Sequence, residues 1–321
     1  MRNPLFVGLG LGLVAAVVFA SATTGPLLVR FLLFFITPLP IALAGLGWGS
    51  RTAAIAGASG TALVAVGASP LLALVFAISQ VIPVAALSHL TLLSRAGPAG
   101  SDGKPTIEWY PAGRLIIWAG LIAGLLSVTS LVLMGADLDE LRSSLGEFID
   151  RTLKSGLPQM PGAPPLSDTE IKALSEVALG LLPAASAMSW MASLLFNLWL
   201  GGRITLASGQ LARPWPDLAA IQYPRGTALV FAGILLATML GGYAGLTASA
   251  FAGAFFVAYV LLGLAIIHYT TRGKSWRPFA LWALYAALLL VNVWIAVVVA
   301  LLGVAEAILA LRQRYPPAGG P

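Results

Sequence analysis

Apolar runs follow one another down this chain with only short polar breaks between them, at 4–22, 28–48, 52–69, 71–93, 113–134, 172–201, 226–243, 247–270 and 278–311. A helix needs roughly 20 apolar residues to cross a bilayer, and these runs approach or exceed that length. A transmembrane barrel would instead show strands of roughly ten residues with alternating polarity. The expected fold class is therefore all-α, a polytopic transmembrane helical bundle of about nine spans. Composition agrees, since 59% hydrophobic and 9% charged residues leave too little polar surface to cover a soluble globule. The ninth run is too long for one simple crossing and holds Asn292 and Glu306. It is either a crossing followed by an interfacial helix or a tight hairpin.

Lys and Arg set the orientation. With the N-terminus inside, the inner breaks carry Arg2, Arg51, Arg95, Lys104, Arg114, Arg203, Arg213, Arg225, Arg272, Lys274 and Arg277, whereas the outer breaks SATTGP, GASP and GGYAGLT carry no charge. Arg30, near an outer boundary, can snorkel. Arg312 and Arg314 break the pattern if the last run crosses once. The same bias accounts for the net charge of +6, so the expected environment is lipid, with no nucleic-acid partner. The start of the chain, with Ala20-Ser21-Ala22 after an apolar run, also resembles a secretory signal. A packing stripe in that run favours its retention.

Three regions are expected: an N-terminal five-span membrane region at 1–134, an extracytoplasmic amphipathic and Pro-rich segment at 135–171, and a C-terminal membrane region at 172–321 with basic inner loops. In the middle segment Leu138, Leu141, Leu145, Phe148, Ile149 and Leu153 share one helical face, and Gly156 marks its end. Ser167 and Glu170 have the spacing of a capping box that starts the next helix. The amphipathic helix either lies on the outer leaflet or covers the bundle, or it forms a lid over a site open to the outside.

The polar residues within the spans are few. Pro38 and Pro40 cannot donate to the carbonyls of Phe34 and Ile36, which frees two acceptors in the second span. Gln80 sits beside Pro83 in the fourth. Ser189, Ser193 and Asn197 form a stripe in the sixth, with Trp190 alongside, and Tyr285 and Asn292 share a face in the ninth. These residues either converge on one polar pocket with aromatic walls or pair helices through hydrogen bonds worth about 1 kcal/mol each. Gly8, Gly12, Ala16 and Ala20 form a small-residue stripe on the first run, which serves packing within the bundle or the docking of a partner subunit. No Asp, Lys or Arg lies at the centre of a span, which argues against a proton relay or a charged substrate. Cys is absent, and His89 and His268 lie near span ends. No metal site, cofactor or catalytic constellation is expected, and the chain does not read as an enzyme.

The stretch TPLPIALAGLGWGSRTAAIAG with QVIPVAALSHL, the loop NLWLGGRITLASGQLARPWPDLAAIQYPRG and the ending LLGVAEAILALRQR resemble the YybS-like membrane proteins of bacteria. The first half is in turn similar to the substrate-binding subunits of energy-coupling-factor vitamin transporters, with about three extra spans and the outer segment, acidic through Asp137, Asp139, Glu140, Glu147 and Asp150, as departures. The resemblance implies a multi-pass protein of the bacterial cytoplasmic (inner) membrane and a first-helix stripe that docks a coupling subunit or ATPase module in trans. The combined expectation is binding or transport of a small, largely uncharged molecule. Gln80, Ser193, Asn197, Asn292 and the carbonyls freed by Pro38 and Pro40 would supply hydrogen bonds, and Trp190 and Tyr285 would supply walls. The alternative is a non-transporting scaffold that holds cytoplasmic partners through Arg203, Arg213 and Arg225.

Overall fold

The computed structural model describes residues 3–99, 105–156, 167–290 and 293–314. The fold is an all-α polytopic bundle. Among the described residues six helical stretches are long and apolar enough to cross a membrane: Pro4–Ser21, Leu27–Trp48, Pro70–Thr91, Ala112–Met134, Thr169–Ala207 and Gly242–Thr270. Three shorter apolar stretches, Thr227–Leu240, Arg277–Leu290 and Val293–Leu309, account for the rest of the expected runs except the third. That third run is the helix Ser50–Gly67, long enough but rich in Gly, Ala, Ser and Thr. The chain divides into two compact units, neither continuous in sequence: Met1–Ala119 with Ala192–Arg225 and Ala258–Pro321, and Gly120–Met191 with Gly226–Val257.

The first unit begins with α1 (Pro4–Ser21), capped by the Asn3 side chain, which accepts from the Leu5 amide. Then come α2 (Leu27–Ile36), α3 (Leu39–Trp48) and α4 (Ser50–Gly67). Gly49 makes the turn between α3 and α4 at φ 90°, where a side chain would be strained. Small residues set the packing. A methyl group at Gly12 would overlap the Ala56 carbonyl oxygen of α4, and one at Gly8 would come within 2.8 Å of Ile55. The stripe on the first helix is thus closed by α4 of the same chain, with Ala16 buried and Ala20 exposed. The Gly8 and Gly12 surface expected to dock a partner is covered from within.

Across α4 lie α5 (Pro70–Phe76), a π-helical turn (Ala77–Val81) and α6 (Ile82–Thr91). Pro83 cannot donate to the carbonyl four residues back, and the chain answers with the wider turn. Val81 fills the space left by Gly57, and Phe76 packs on Gly60. An antiparallel hairpin follows, β1 (Ser94–Ala99) and β2 (Pro105–Trp109), paired Ser94 to Trp109 and Ala96 to Ile107. The sequence indicates only a loop here, because Gly97 and Pro98 hide the strand pattern.

The second unit contains most of α7 (Ala112–Met134), α8 (Leu138–Gly156), the first half of α9 (Asp168–Ala207), α10 (Thr227–Ala237) and the first half of α11 (Gly242–Thr270). The amphipathic α8 buries Leu141 and Leu145 against Leu131 and Leu179. Asp137 caps it by accepting from the amides of Asp139 and Glu140. Arg142 pairs with Glu176 at 2.8 Å, tying α8 to α9. Its Leu face is therefore spent on covering helices of this unit. The capping box forms as expected, with the Ser167 amide donating to Glu170 and the Glu170 amide to the Ser167 hydroxyl.

The last run resolves as a hairpin of α12 (Arg277–Leu290) and α13 (Val293–Leu309), followed by the single turn α14 (Leu311–Arg314). Arg277 at the start of α12 reaches His268, while Arg312 just beyond α13 stacks over Tyr269 at 5.8 Å. Both ends of the pair therefore lie at the C-terminal end of α11. Glycine makes the packing close, since a methyl group at Gly263 would overlap the Val299 carbonyl of α13. This return places Arg312 on the same side as Arg272 and removes the exception in the charge pattern.

Candidate binding site

The break between α2 and α3 is a bend rather than an unwound segment. Thr37 and Pro38 stay in the right-handed helical region, and the Thr37 hydroxyl donates to the Leu33 carbonyl at 2.8 Å. The Phe34 carbonyl, expected to be free, accepts from the Thr37 amide at 3.4 Å. The carbonyl that the bend turns outward to another helix is that of Phe35. It accepts from the Ser193 hydroxyl and from the Asn197 Nδ2, both at 2.7 Å. Asn197 also donates to the Ser193 carbonyl at 2.8 Å. Ser193 and Asn197 of α9 thus meet the backbone at the Pro38 bend. The carbonyl they act on lies one residue from each of the two predicted ones.

Asn197 is 0% exposed, and its Oδ1 has no hydrogen-bond partner among the described residues. Gln80 goes further. It lies in the π turn at 0% exposure, and neither its Nε2 nor its Oε1 has a partner among the described residues. The Ser88 hydroxyl, one face on in α6, is also buried and unpartnered there, packed where Gly45 of α3 leaves room. An unsatisfied buried polar group costs about 1–3 kcal/mol. In native folds such groups are few.

The aromatic residues around the bend differ from those expected. Phe35 lies 5.7 Å from Phe196, which lies 6.1 Å from Trp199. These rings were missed, although Phe196 adjoins Asn197 in the chain. Tyr285 is not part of this group: it is exposed and its hydroxyl bonds His268 Nε2 at 2.9 Å. Trp190 is half-buried in the second unit, and Asn292 lies outside the described residues. Ser189 is exposed.

The buried polar groups near the bend and the π turn are neutral: Thr37, Ser79, Gln80, Ser88, Ser193 and Asn197. The buried charges of this unit lie elsewhere, at Arg213 and at the Arg312–Glu306 pair. Burial pushes the Arg213 pKa down, and its guanidinium donates to the Thr91 carbonyl at 3.1 Å. Arg312 donates to Glu306 at 2.8 Å and to the Ala219 and Ile221 carbonyls. A groove of about 780 Å³ between α1, α3 and α9, walled by Phe6, Val14, Leu43, Trp48 and Ile204, does not reach Gln80 or Asn197.

A model of the family described as "Predicted membrane protein (DUF2232)" matches residues 13–306. No curated protein and no solved structure matches the chain.

Proposed function

The chain belongs to the DUF2232 family of predicted membrane proteins, and on that premise we propose that it binds a small, largely uncharged polar molecule within its first unit, as a transporter or a substrate-capturing subunit. One observation carries this reading, the Gln80 amide, buried with a donor and an acceptor both unused among the described residues. A ligand that both accepts and donates hydrogen bonds would satisfy it. The buried polar groups at the π turn and the Pro38 bend are neutral, which selects against charge. Irregular helices at membrane depth beside a binding group are the arrangement transporters use, and the π turn and the Pro38 bend supply two such irregularities. The protein would sit in the bacterial inner membrane with its N-terminus inside, powered by a module in trans or working by exchange. The likeness to YybS-like proteins and to substrate-binding subunits of energy-coupling-factor transporters belongs to this same reading. A coupling subunit would need a face other than the one α4 covers.

The scaffold alternative draws on Arg203, Arg213 and Arg225. Arg203 stacks over Trp215 at 5.1 Å and Arg213 is buried, which leaves Arg225 exposed for a partner. The internal use of two of the three cations favours ligand binding. The test is native mass spectrometry of protein taken from its own membranes in mild detergent. A non-covalent small molecule on the wild type that is absent from a folded Gln80→Leu variant is the expected result. Wild type released empty, with Gln80→Leu fully active in the cell, would overturn the reading.

A further inference from the structure

A cavity of about 340 Å³ opens where the β1–β2 hairpin meets the start of α7, lined by Ser94, Arg95, Glu108, Trp109, Tyr110 and Arg114 among others. Its charges do not balance internally. Glu108 is matched by Arg95, whose Nε and Nη2 both reach it at 2.7 Å. Arg114 has no acidic partner among the described residues. It stands in the first turn of α7, a turn without any acidic side chain. A cation there opposes the helix dipole, and the conflict is relieved by an anion next to both.

The position of Arg114 is set by close packing. Gly113 lies against the Gln222 carbonyl so tightly that a methyl group would overlap it. The uncharged groups of the cavity add donors. The Tyr110 hydroxyl accepts from the Trp118 indole N–H at 3.0 Å, which leaves its own proton to be given elsewhere. The Ser94 hydroxyl is exposed beside Arg95. A guanidinium fork with two hydroxyl donors suits a phosphate ester. Trp109, Tyr110 and Trp118 are the residue types found at the headgroup level of a bilayer.

We propose that this cavity binds the phosphate of a phosphate ester, with Arg114 as the principal cation and Tyr110 and Ser94 as donors. The ester is either the headgroup of an anionic phospholipid or a soluble phosphate monoester, which share this chemistry. The site is independent of the Gln80 interior. The test follows melting of the full-length protein in mild detergent on titration with phosphatidylglycerol, phosphatidylcholine or glycerol 3-phosphate. Arg114→Gln, Tyr110→Phe and, as an exposed cation outside the cavity, Arg225→Gln are run in parallel. The expected result is a saturable rise in melting temperature with phosphatidylglycerol and not phosphatidylcholine. That rise should fall at least twofold in Arg114→Gln, fall less in Tyr110→Phe and be unchanged in Arg225→Gln. An equal Arg114-dependent rise with glycerol 3-phosphate assigns the site to a soluble ester. No saturable rise, or the same loss in Arg114→Gln and Arg225→Gln, overturns the proposal. If Arg114→Gln does not fold, Tyr110→Phe decides: a response identical to wild type overturns it.

Discussion

Two interrupted helices lie in the first unit, and their polar accounts differ. At the α2–α3 bend the part-buried Phe35 carbonyl receives two donors from α9. At the π turn the Gln80 amide receives and gives nothing among the described residues. Both are caused by proline and both are buried, so irregular backbone alone does not distinguish a binding site from a structural kink. The distinguishing quantity is whether hydrogen-bonding capacity is used up inside the chain. By that measure the α2–α3 bend is chiefly structural, although Asn197 Oδ1 is unpartnered among the described residues, and the π turn is the better candidate for a ligand.

The largest expected effect is on the frame that holds both interruptions. Gly60 of α4 touches the Gly12 carbonyl on one side and Phe76, next to the π turn, on the other. Gly12→Val drives a side chain into the α4 backbone and should cost about 3 kcal/mol or more, with loss of the folded state on heating at much lower temperature. A normal melting curve with loss of a bound protein partner would instead assign the Gly8–Gly12 stripe to docking. Next, Asn197→Leu removes one of the two donors from the part-buried Phe35 carbonyl, and should destabilise by about 2 kcal/mol. Ser193→Ala should cost about 1 kcal/mol by the same logic. Gln80→Leu should go the other way, raising the stability of the empty protein by about 1 kcal/mol because no partner is orphaned. A melting temperature for Gln80→Leu below that of Asn197→Leu would invert the comparison and make the bend the functional element.

This contrast was only partly legible in the sequence. The prolines, the Ser193–Asn197 spacing and Gln80 beside Pro83 are local features, and local features carry the helix breaks. Which carbonyl turns outward depends on how the chain bends at Thr37 and Pro38, so the acceptor fell at Phe35 rather than at Phe34 or Ile36. Tyr285 shares the apolar setting of a wall residue, yet its depth is set by the α12–α13 return, which joins it to His268. That return is written in no motif. Its clearest trace is negative, the misplaced charges at Arg312 and Arg314, which only tertiary structure explains by docking Arg312 on the Ala219 and Ile221 carbonyls.

The smallest effect separates the neutral interior from the charged loop beneath it. Neither interruption contains a titratable group at its polar centre, so their contribution should not vary with pH. The 213–226 loop differs, because the hydrogen bond from Arg272 holds the Asp217 carboxyl below its ordinary pKa, while partial burial opposes the shift. A folded-state value that is depressed contributes stability above the unfolded value, about 4, and loses it as pH falls through the folded one. Melting should thus be insensitive to this pair between about pH 7 and 5, and the pair's contribution should fade below about pH 4. Asp217 is half-exposed, so screening limits the contribution to about 0.5 kcal/mol or less. Asp217→Asn should flatten that part of the acid slope, whereas Gln80→Leu should shift the whole curve without changing its shape. If Gln80→Leu altered the acid slope as well, the interior would be coupled to the loop, and the division between a neutral site and a charged anchor would fail.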